Sequence, residues 1–275
     1  MPHCSDRPGT EYPVIRPAFF LALFVLFMFV AVLPAAAGSA ADDAEALRSF
    51  LESHYGVIIR MGDECTGYPS GNYDIRIVPE GSTPFQQIAA GNSRFADLLR
   101  TLDDVFSVYP PEFFSPFSDP DYMGGLRFLL VDEIRMDGVN IAGVMNTEDA
   151  GFNIFLARRA AGERAIHHEI WHAMESRIGC NDPHAFDDWF ELNPEDFLYA
   201  GDYGVIRTGE ENLEPDDWFV REYSKIDEAE DRATVFEALM TKEEDWWSSR
   251  LYLRRKAQFL MEKAEPVFGD LFAGE

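Results

Sequence analysis

The feature that most constrains this chain is the stretch of residues 167–172, with the sequence HHEIWH. It contains an H-E-x-x-H motif, in which His168 and His172 are four residues apart and Glu169 follows the first of them. On a helix, residues i and i+4 project from the same face, so both imidazoles can bind one metal ion. Glu169 would lie beside that ion, in the position of a general base. Apolar residues recur at every fourth position of this segment, which predicts that one face of the helix is buried. They are Ile166, Ile170, Met174 and Ile178.

A catalytic zinc site needs a third protein ligand and keeps one position open. The extended motif H-E-x-x-H-x-x-G-x-x-H, which supplies a third histidine, would require Gly at position 175 and His at position 178, where the chain has Glu175 and Ile178. His184 follows in a D-P-H turn and would bind only if the chain doubled back. The other candidates are carboxylates of the acidic segment 222–233 (EYSKIDEAEDRA). His167 would face about 100° away from the first ligand, which favours a supporting or hydrogen-bonded core residue.

The charge of the chain excludes several classes of partner. The sequence has 23 Lys and Arg against 49 Asp and Glu, a formal net charge of −26. Nucleic-acid binding needs a basic footprint, and an anionic membrane surface would repel such a protein. We therefore expect no nucleic-acid partner, and contact with a membrane only through the N-terminal segment.

The first 40 residues are predicted to be a targeting segment. Residues 18–33 (AFFLALFVLFMFVAVL) are apolar and are followed by Pro34 and small residues. This order is typical of a secretory signal peptide, with cleavage after Ala37 or Ala40, and an uncleaved membrane anchor also fits it. Both interpretations predict that residues 41–275 are exported, either secreted or held outside the cytoplasm.

Two cysteines remain beyond the targeting segment, Cys65 and Cys180. An even number of cysteines in an oxidising compartment is compatible with a disulfide bond between them. Two buried free thiols are equally compatible with the sequence, because free cysteine is a common core residue.

Hydrophobic periodicity predicts an α+β fold. We expect a mixed sheet and the motif helix in an N-terminal lobe at about 41–179, and a mainly helical C-terminal lobe at about 180–275, within one domain. The Pro- and Phe-rich segment 109–121 is predicted to be a surface loop. The predicted helices are 42–55, 93–108, 160–179, 231–240 and 243–263, and the predicted strands are 57–61, 73–78, 126–131, 139–144 and 152–157.

Two further motifs give the chain a family resemblance. Tyr223 is followed seven residues later by Glu230 and then by Ala233, and residues 189–199 (WFELNPEDFLY) have the pattern W-x-x-L-N-P-x-x-F-x-Y. Together with H-E-x-x-H, these motifs resemble those of the secreted bacterial zinc-binding metallopeptidases of the gluzincin type, which are similar to the catalytic domain of anthrax lethal factor. The chain departs from this family at Thr234, where a second Glu is frequent.

The resemblance implies a zincin-like fold in which His168, His172 and Glu230 hold one Zn²⁺. It implies that Glu169 is the general base and that the phenol of Tyr223 stabilises the oxyanion during hydrolysis of a peptide or protein substrate. Zincin-like enzymes pair an edge strand with the extended substrate. We expect that strand at residues 151–157, just before the motif helix.

The sequence also leaves alternatives open. Glu228 and Glu237 are the other candidate third ligands, in which case Glu230 is a first-turn acid stabilised by the helix dipole. Tyr223 would then be an ordinary packing aromatic. The competing functions are a binding module with a structural zinc site and a catalytically inactive zincin-fold protein at the cell surface. Structural zinc sites are mostly closed by four Cys and His ligands, and the intact Glu of the motif favours the enzyme.

Overall fold

The fold was obtained as a computed structural model. The predicted signal or anchor segment lies outside the described residues, apart from its last two positions. Within the described part of the chain, no helix has both the length and the apolar character needed to cross a membrane. The structure describes residues 39–77, 83–89, 91, 93–119, 124–204, 213 and 216–269.

The strands form two separate sheets. They are β1 (Ile58–Met61), β2 (Asp74–Arg76), β3 (Leu126–Val131), β4 (Glu133–Met136), β5 (Val139–Ile141), β6 (Gly143–Asn146) and β7 (Phe152–Ala157). The main sheet is mixed and has the order β1-β3-β7-β6; β1, β3 and β7 are parallel, and β6 is antiparallel to β7. The smaller sheet is antiparallel, with the order β2-β4-β5. The predicted α+β class with a mixed sheet is confirmed.

The helices pack around the main sheet and against each other. They are α1 (Ala40–Tyr55), α2 (Pro84–Ala89), α3 (Arg94–Phe106), α4 (Glu163–Asn181), α5 (Glu228–Thr241), α6 (Glu244–Ser248) and α7 (Leu251–Phe268). The motif helix α4 packs against α5, where the rings of Trp171 and Phe236 are 5.0 Å apart. The division into an N-terminal and a C-terminal lobe of one domain remains a prediction.

The prediction that residues 151–157 form an edge strand is wrong. β7 pairs with β3 on one side and with β6 on the other, so it is an interior strand. All six of its residues are buried, as expected for a continuous apolar run in the interior of a sheet. The terminal strand on this side is β6. The predicted strand 139–144 is divided at Ala142, so that β5 belongs to the smaller sheet and β6 to the main one.

The predicted surface loop at 109–121 is mostly part of the core. Residues Pro111–Ser118 form a 3₁₀ segment, and its three phenylalanines are at most 2% exposed. Phe117 contacts Phe152 of β7, with ring centroids 5.1 Å apart. The Pro residues favour a loop, but burying three aromatic rings stabilises the folded state, and the segment therefore lies in the core.

Both cysteines of the described chain are free thiols, so the disulfide alternative is not realised. Cys65 is buried beneath β3, with its Sγ 3.7 Å from the carbonyl oxygen of Leu130, and burial raises the pKa of its thiol. Cys180 is exposed in the last turn of α4.

Candidate metal centre

The residues of the candidate metal site lie on two helices, α4 and α5. The middle of α4 carries His168 and His172, whose ring centroids are 4.8 Å apart, as expected for residues one helical turn apart. Glu230 lies in the first turn of α5, whose N-cap is Asp227; the Asp227 side chain accepts a hydrogen bond of 2.9 Å from the Glu230 backbone N–H. Because α4 and α5 pack together, this carboxylate faces the two imidazoles.

The three side chains converge on one point. His168 Nε2 lies 2.9 Å from Glu230 Oε2 and 3.2 Å from His172 Nε2, and His172 Nε2 lies 3.6 Å from Glu230 Oε2. A tetrahedral zinc ion with ligand atoms about 2.0–2.1 Å away requires those atoms to be about 3.3 Å from each other. The observed spacing therefore fits such an ion, and the three residues form the potential metal-binding cluster found in the described chain.

The electrostatics of the cluster also favour a cation. Burial lowers the pKa of His168, but the hydrogen bond to Glu230 and the nearby carboxylate of Glu237 outweigh it and raise the pKa to about 9. Burial alone would raise the pKa of Glu230, whereas the hydrogen bonds from the two histidines hold it well below its usual range. The carboxylate is therefore ionised in a buried site, where positive charge stabilises it.

Glu169 lies next to these residues, directly against the terminal strand β6. Its side chain is buried, and a Cβ added to Gly143 would lie only 2.8 Å from its Cγ. The backbone N–H of Met145, also on β6, lies close to the Glu169 carboxylate and favours its ionised form. Burial raises the pKa of Glu169, while the charges of the two neighbouring histidines act in the opposite direction. A raised pKa suits a group that accepts and returns a proton.

Tyr223 reaches the same site from the 3₁₀ turn Glu222–Lys225. Its ring centroid is 5.8 Å from that of His168, and its hydroxyl lies beside the Glu230 carboxylate. Burial and then the negative charges of the nearby carboxylates raise the pKa of Tyr223 well above its ordinary value. The phenol therefore keeps its proton and can act as a hydrogen-bond donor.

A second tyrosine, Tyr203, is part of the site and was missed by the sequence analysis. Its hydroxyl donates a hydrogen bond of 3.1 Å to Glu230 Oε1 and lies 3.5 Å from Asp227 Oδ2. Tyr203 belongs to no recognisable motif. Its one signal in the sequence is its position four residues after the end of the segment 189–199.

Glu237, a candidate third ligand, lies behind His168 instead of facing His172. Its Oε2 is 3.5 Å from His168 Nδ1, on the opposite side of the ring from the metal-facing Nε2. The guanidinium groups of Arg164 and Arg221 each approach Glu237 to 2.7 Å. Burial raises the pKa of Glu237, but the interaction with His168 and then the charges of the two arginines outweigh it, so that the pKa falls to about 2. Glu237 is thus placed to orient the imidazole, as carboxylates beside metal-binding histidines commonly do.

The remaining candidates from the sequence lie away from the cluster. The side chain of Glu228 is half exposed and lies 3.5 Å from Arg232. His184 is 82% exposed and pairs with Asp187. His167 is buried, and its Nδ1 hydrogen-bonds the hydroxyl of Tyr109 at 2.7 Å, so the expected core role is observed.

The segment 189–199 packs directly behind the cluster. Its polar residues converge on Asp231, the residue after Glu230: Tyr199 donates to Asp231 Oδ2 at 2.8 Å and Trp189 at 3.2 Å. Lys256 of α7 approaches the same oxygen to 2.7 Å, and this ion pair is fully buried. The motif residues therefore fix the helical turn that carries Glu230.

The chain has a weak structural likeness to a solved bacterial protein. No family model matches the chain, and no curated protein matches it significantly. The chain is similar to a crystal structure from Bacteroides caccae described as a "putative zinc-binding metallo-peptidase", with a TM-score of 0.49 and 12% sequence identity over 86% of this chain and 90% of that one. A likeness at this level does not establish the family, so the function has to be inferred from the side chains themselves.

Proposed function

We propose that the protein is a zinc-dependent metallopeptidase of the gluzincin type with a zincin-like fold. His168, His172 and Glu230 would hold one Zn²⁺ and leave the fourth position open. The observation that carries the proposal is the mutual spacing of their three metal-facing atoms, 2.9–3.6 Å, which matches the edges of a tetrahedron around zinc. Two histidines and one carboxylate form a donor set typical of catalytic zinc sites.

The reaction would use groups already in place. Bound at the three ligands, Zn²⁺ would supply Lewis acidity, which lowers the pKa of a bound water molecule to about 7. Glu169 accepts the proton of the attacking water and delivers it to the leaving amine, so that a C–O bond forms and the peptide C–N bond breaks. Tyr223 keeps its proton and donates a hydrogen bond to the oxyanion, which is worth about 3–4 kcal/mol in comparable sites.

An extended peptide substrate would bind along β6. This strand is terminal in the main sheet, and peptides commonly add to such an edge through main-chain hydrogen bonds. Gly143 of β6 packs against Glu169, so a peptide paired with β6 would run past the general base. We propose a peptide or protein substrate on this basis.

The proposed location of the enzyme is outside the cytoplasm. The apolar run at 18–33 and the small residues after it support export, with residues 1–40 as a cleaved signal or a retained anchor. The folded domain would then be residues 41–275.

The test is to incubate purified protein with a mixed peptide library, with and without a chelator. We expect cleavage that the chelator abolishes, and Glu169→Gln should bind zinc as the wild type does but lose hydrolysis. The matched control is Glu163→Gln, an exposed acid on the same helix, which should keep full activity. A wild-type protein that binds zinc and cleaves no peptide would instead favour a catalytically inactive binding module.

A further inference from the structure

The two oxygens of Glu230 have different surroundings. Oε2 faces both imidazoles, 2.9 Å from His168 Nε2 and 3.6 Å from His172 Nε2. Oε1 instead accepts a hydrogen bond of 3.1 Å from the hydroxyl of Tyr203. One oxygen is therefore directed at the metal-binding point, and the other is occupied by a phenol.

The segment that carries Tyr203 is fixed to the same part of the fold as Glu230. The backbone N–H groups of Ala200 and Gly201 donate to the carbonyl oxygens of Lys225 and Ile226, at 2.9 and 2.8 Å. Just before them, Tyr199 donates to Asp231, the neighbour of Glu230 in α5. The residues just before Tyr203 are thus held in register with the part of the chain that carries Glu230.

The hydroxyl of Tyr203 faces two carboxylates, Glu230 Oε1 at 3.1 Å and Asp227 Oδ2 at 3.5 Å, and carboxylate oxygens accept hydrogen bonds, so the phenol is the donor. The hydroxyl of Tyr223 also lies beside Glu230, but the proposed mechanism requires it to donate to the substrate oxyanion. Tyr203 is then the phenol that stays on the carboxylate throughout the reaction.

We propose that Tyr203 is a positioning residue that makes Glu230 bind the metal through one oxygen. A carboxylate binding through both oxygens would add a fifth ligand to a site that otherwise holds three protein atoms and one water molecule. By holding Oε1, Tyr203 keeps the ion four-coordinate. This inference rests on the proposed metallopeptidase function, because it concerns the coordination of the metal in that site.

The experiment replaces zinc with Co²⁺, whose visible absorption weakens severalfold when a fifth ligand joins a four-coordinate site. The wild type should show the intense bands of a four-coordinate ion. Tyr203→Phe should still bind one Co²⁺ per chain but show severalfold weaker bands. Tyr252→Phe, which changes a tyrosine of α7 that stacks on Trp218, should match the wild type.

The outcomes separate the two proposals. Wild-type bands that persist unchanged in Tyr203→Phe overturn the role of Tyr203 and leave the metal site intact. A wild type that takes up no Co²⁺ overturns the metal site, and the inference with it. If Tyr203→Phe fails to fold, the zinc-minus-apoprotein infrared difference spectrum of the wild type decides: widely separated carboxylate stretches support one-oxygen binding, and closely spaced ones overturn it.

Discussion

Replacing Gly143 by Ala tests whether β6 fixes the position of the proposed general base. The new Cβ would lie 2.8 Å from Cγ and 3.0 Å from Oε1 of Glu169, and its three nearest atoms all belong to that side chain. Carbon atoms in contact are normally about 3.5–4.0 Å apart. The Glu169 side chain would therefore have to move by about 1 Å.

A displacement of about 1 Å in a catalytic group typically lowers the rate on the order of 100-fold, which corresponds to about 2.7 kcal/mol of transition-state stabilisation. We expect Gly143→Ala to lose about this much in kcat/KM on the best substrate of the peptide library. Zinc affinity should be unchanged, because His168, His172 and Glu230 are not among the nearest neighbours of the new methyl group.

Gly179→Ala is the matched control. Gly179 lies on α4, the helix that carries Glu169, and a Cβ there would have no atom within 4 Å. Since Ala is favoured over Gly within a helix, this variant should gain about 0.5–1 kcal/mol in stability and keep its activity. Full activity in Gly143→Ala would refute the idea that close packing on β6 positions the base.

Two other variants test the surroundings of the cluster. Glu237→Gln should lower zinc affinity about 10–100-fold in a competition titration with a chelator, because the imidazole of His168 loses its charged partner. The control Glu228→Gln should have no effect. Equal zinc affinities in the wild type and both variants would contradict the role of Glu237 in orienting His168. Lys256→Met should lower the free energy of unfolding of the apoprotein by about 3–5 kcal/mol in urea denaturation, since Asp231 would be left as an unpaired buried charge. A loss below 1 kcal/mol would show that Asp231 is stabilised by its other donors.

The local elements of the fold could be predicted from short-range patterns. The strands at 126–131 and 152–157 were predicted with the bounds that the structure shows, because continuous apolar runs between turn residues leave little choice. The motif helix begins three residues and ends two residues later than predicted. The long helix predicted at 243–263 is divided into α6 and α7.

Long-range arrangement was the part that the sequence did not determine. The order of the strands depends on which strand edges pair. Nothing in the sequence of residues 152–157 indicates that β6 pairs with the outer edge of β7. Phe113 packs against Phe268 of α7, and Phe117 packs against Phe152 of β7. The Pro-rich local sequence does not indicate these long-range contacts.

In the candidate metal site, too, the local spacing could be predicted from the sequence and the long-range contacts could not. The spacing of the two motif histidines follows from helix geometry alone. The segment 222–233 offered several carboxylates, and choosing Glu230 among them required the family resemblance, since the facing residue depends on how α5 packs on α4. Tyr203 reaches Glu230 through backbone contacts of a loop, and such contacts leave no pattern in side-chain types.

The most direct test is the metal content of the purified protein after dialysis against trace zinc, measured by atomic emission for the wild type and His168→Ala. One zinc ion per wild-type chain, and none in the variant under the same conditions, is the predicted result. A wild type without stoichiometric zinc, or a variant that retains it, would contradict a metal site built from His168, His172 and Glu230.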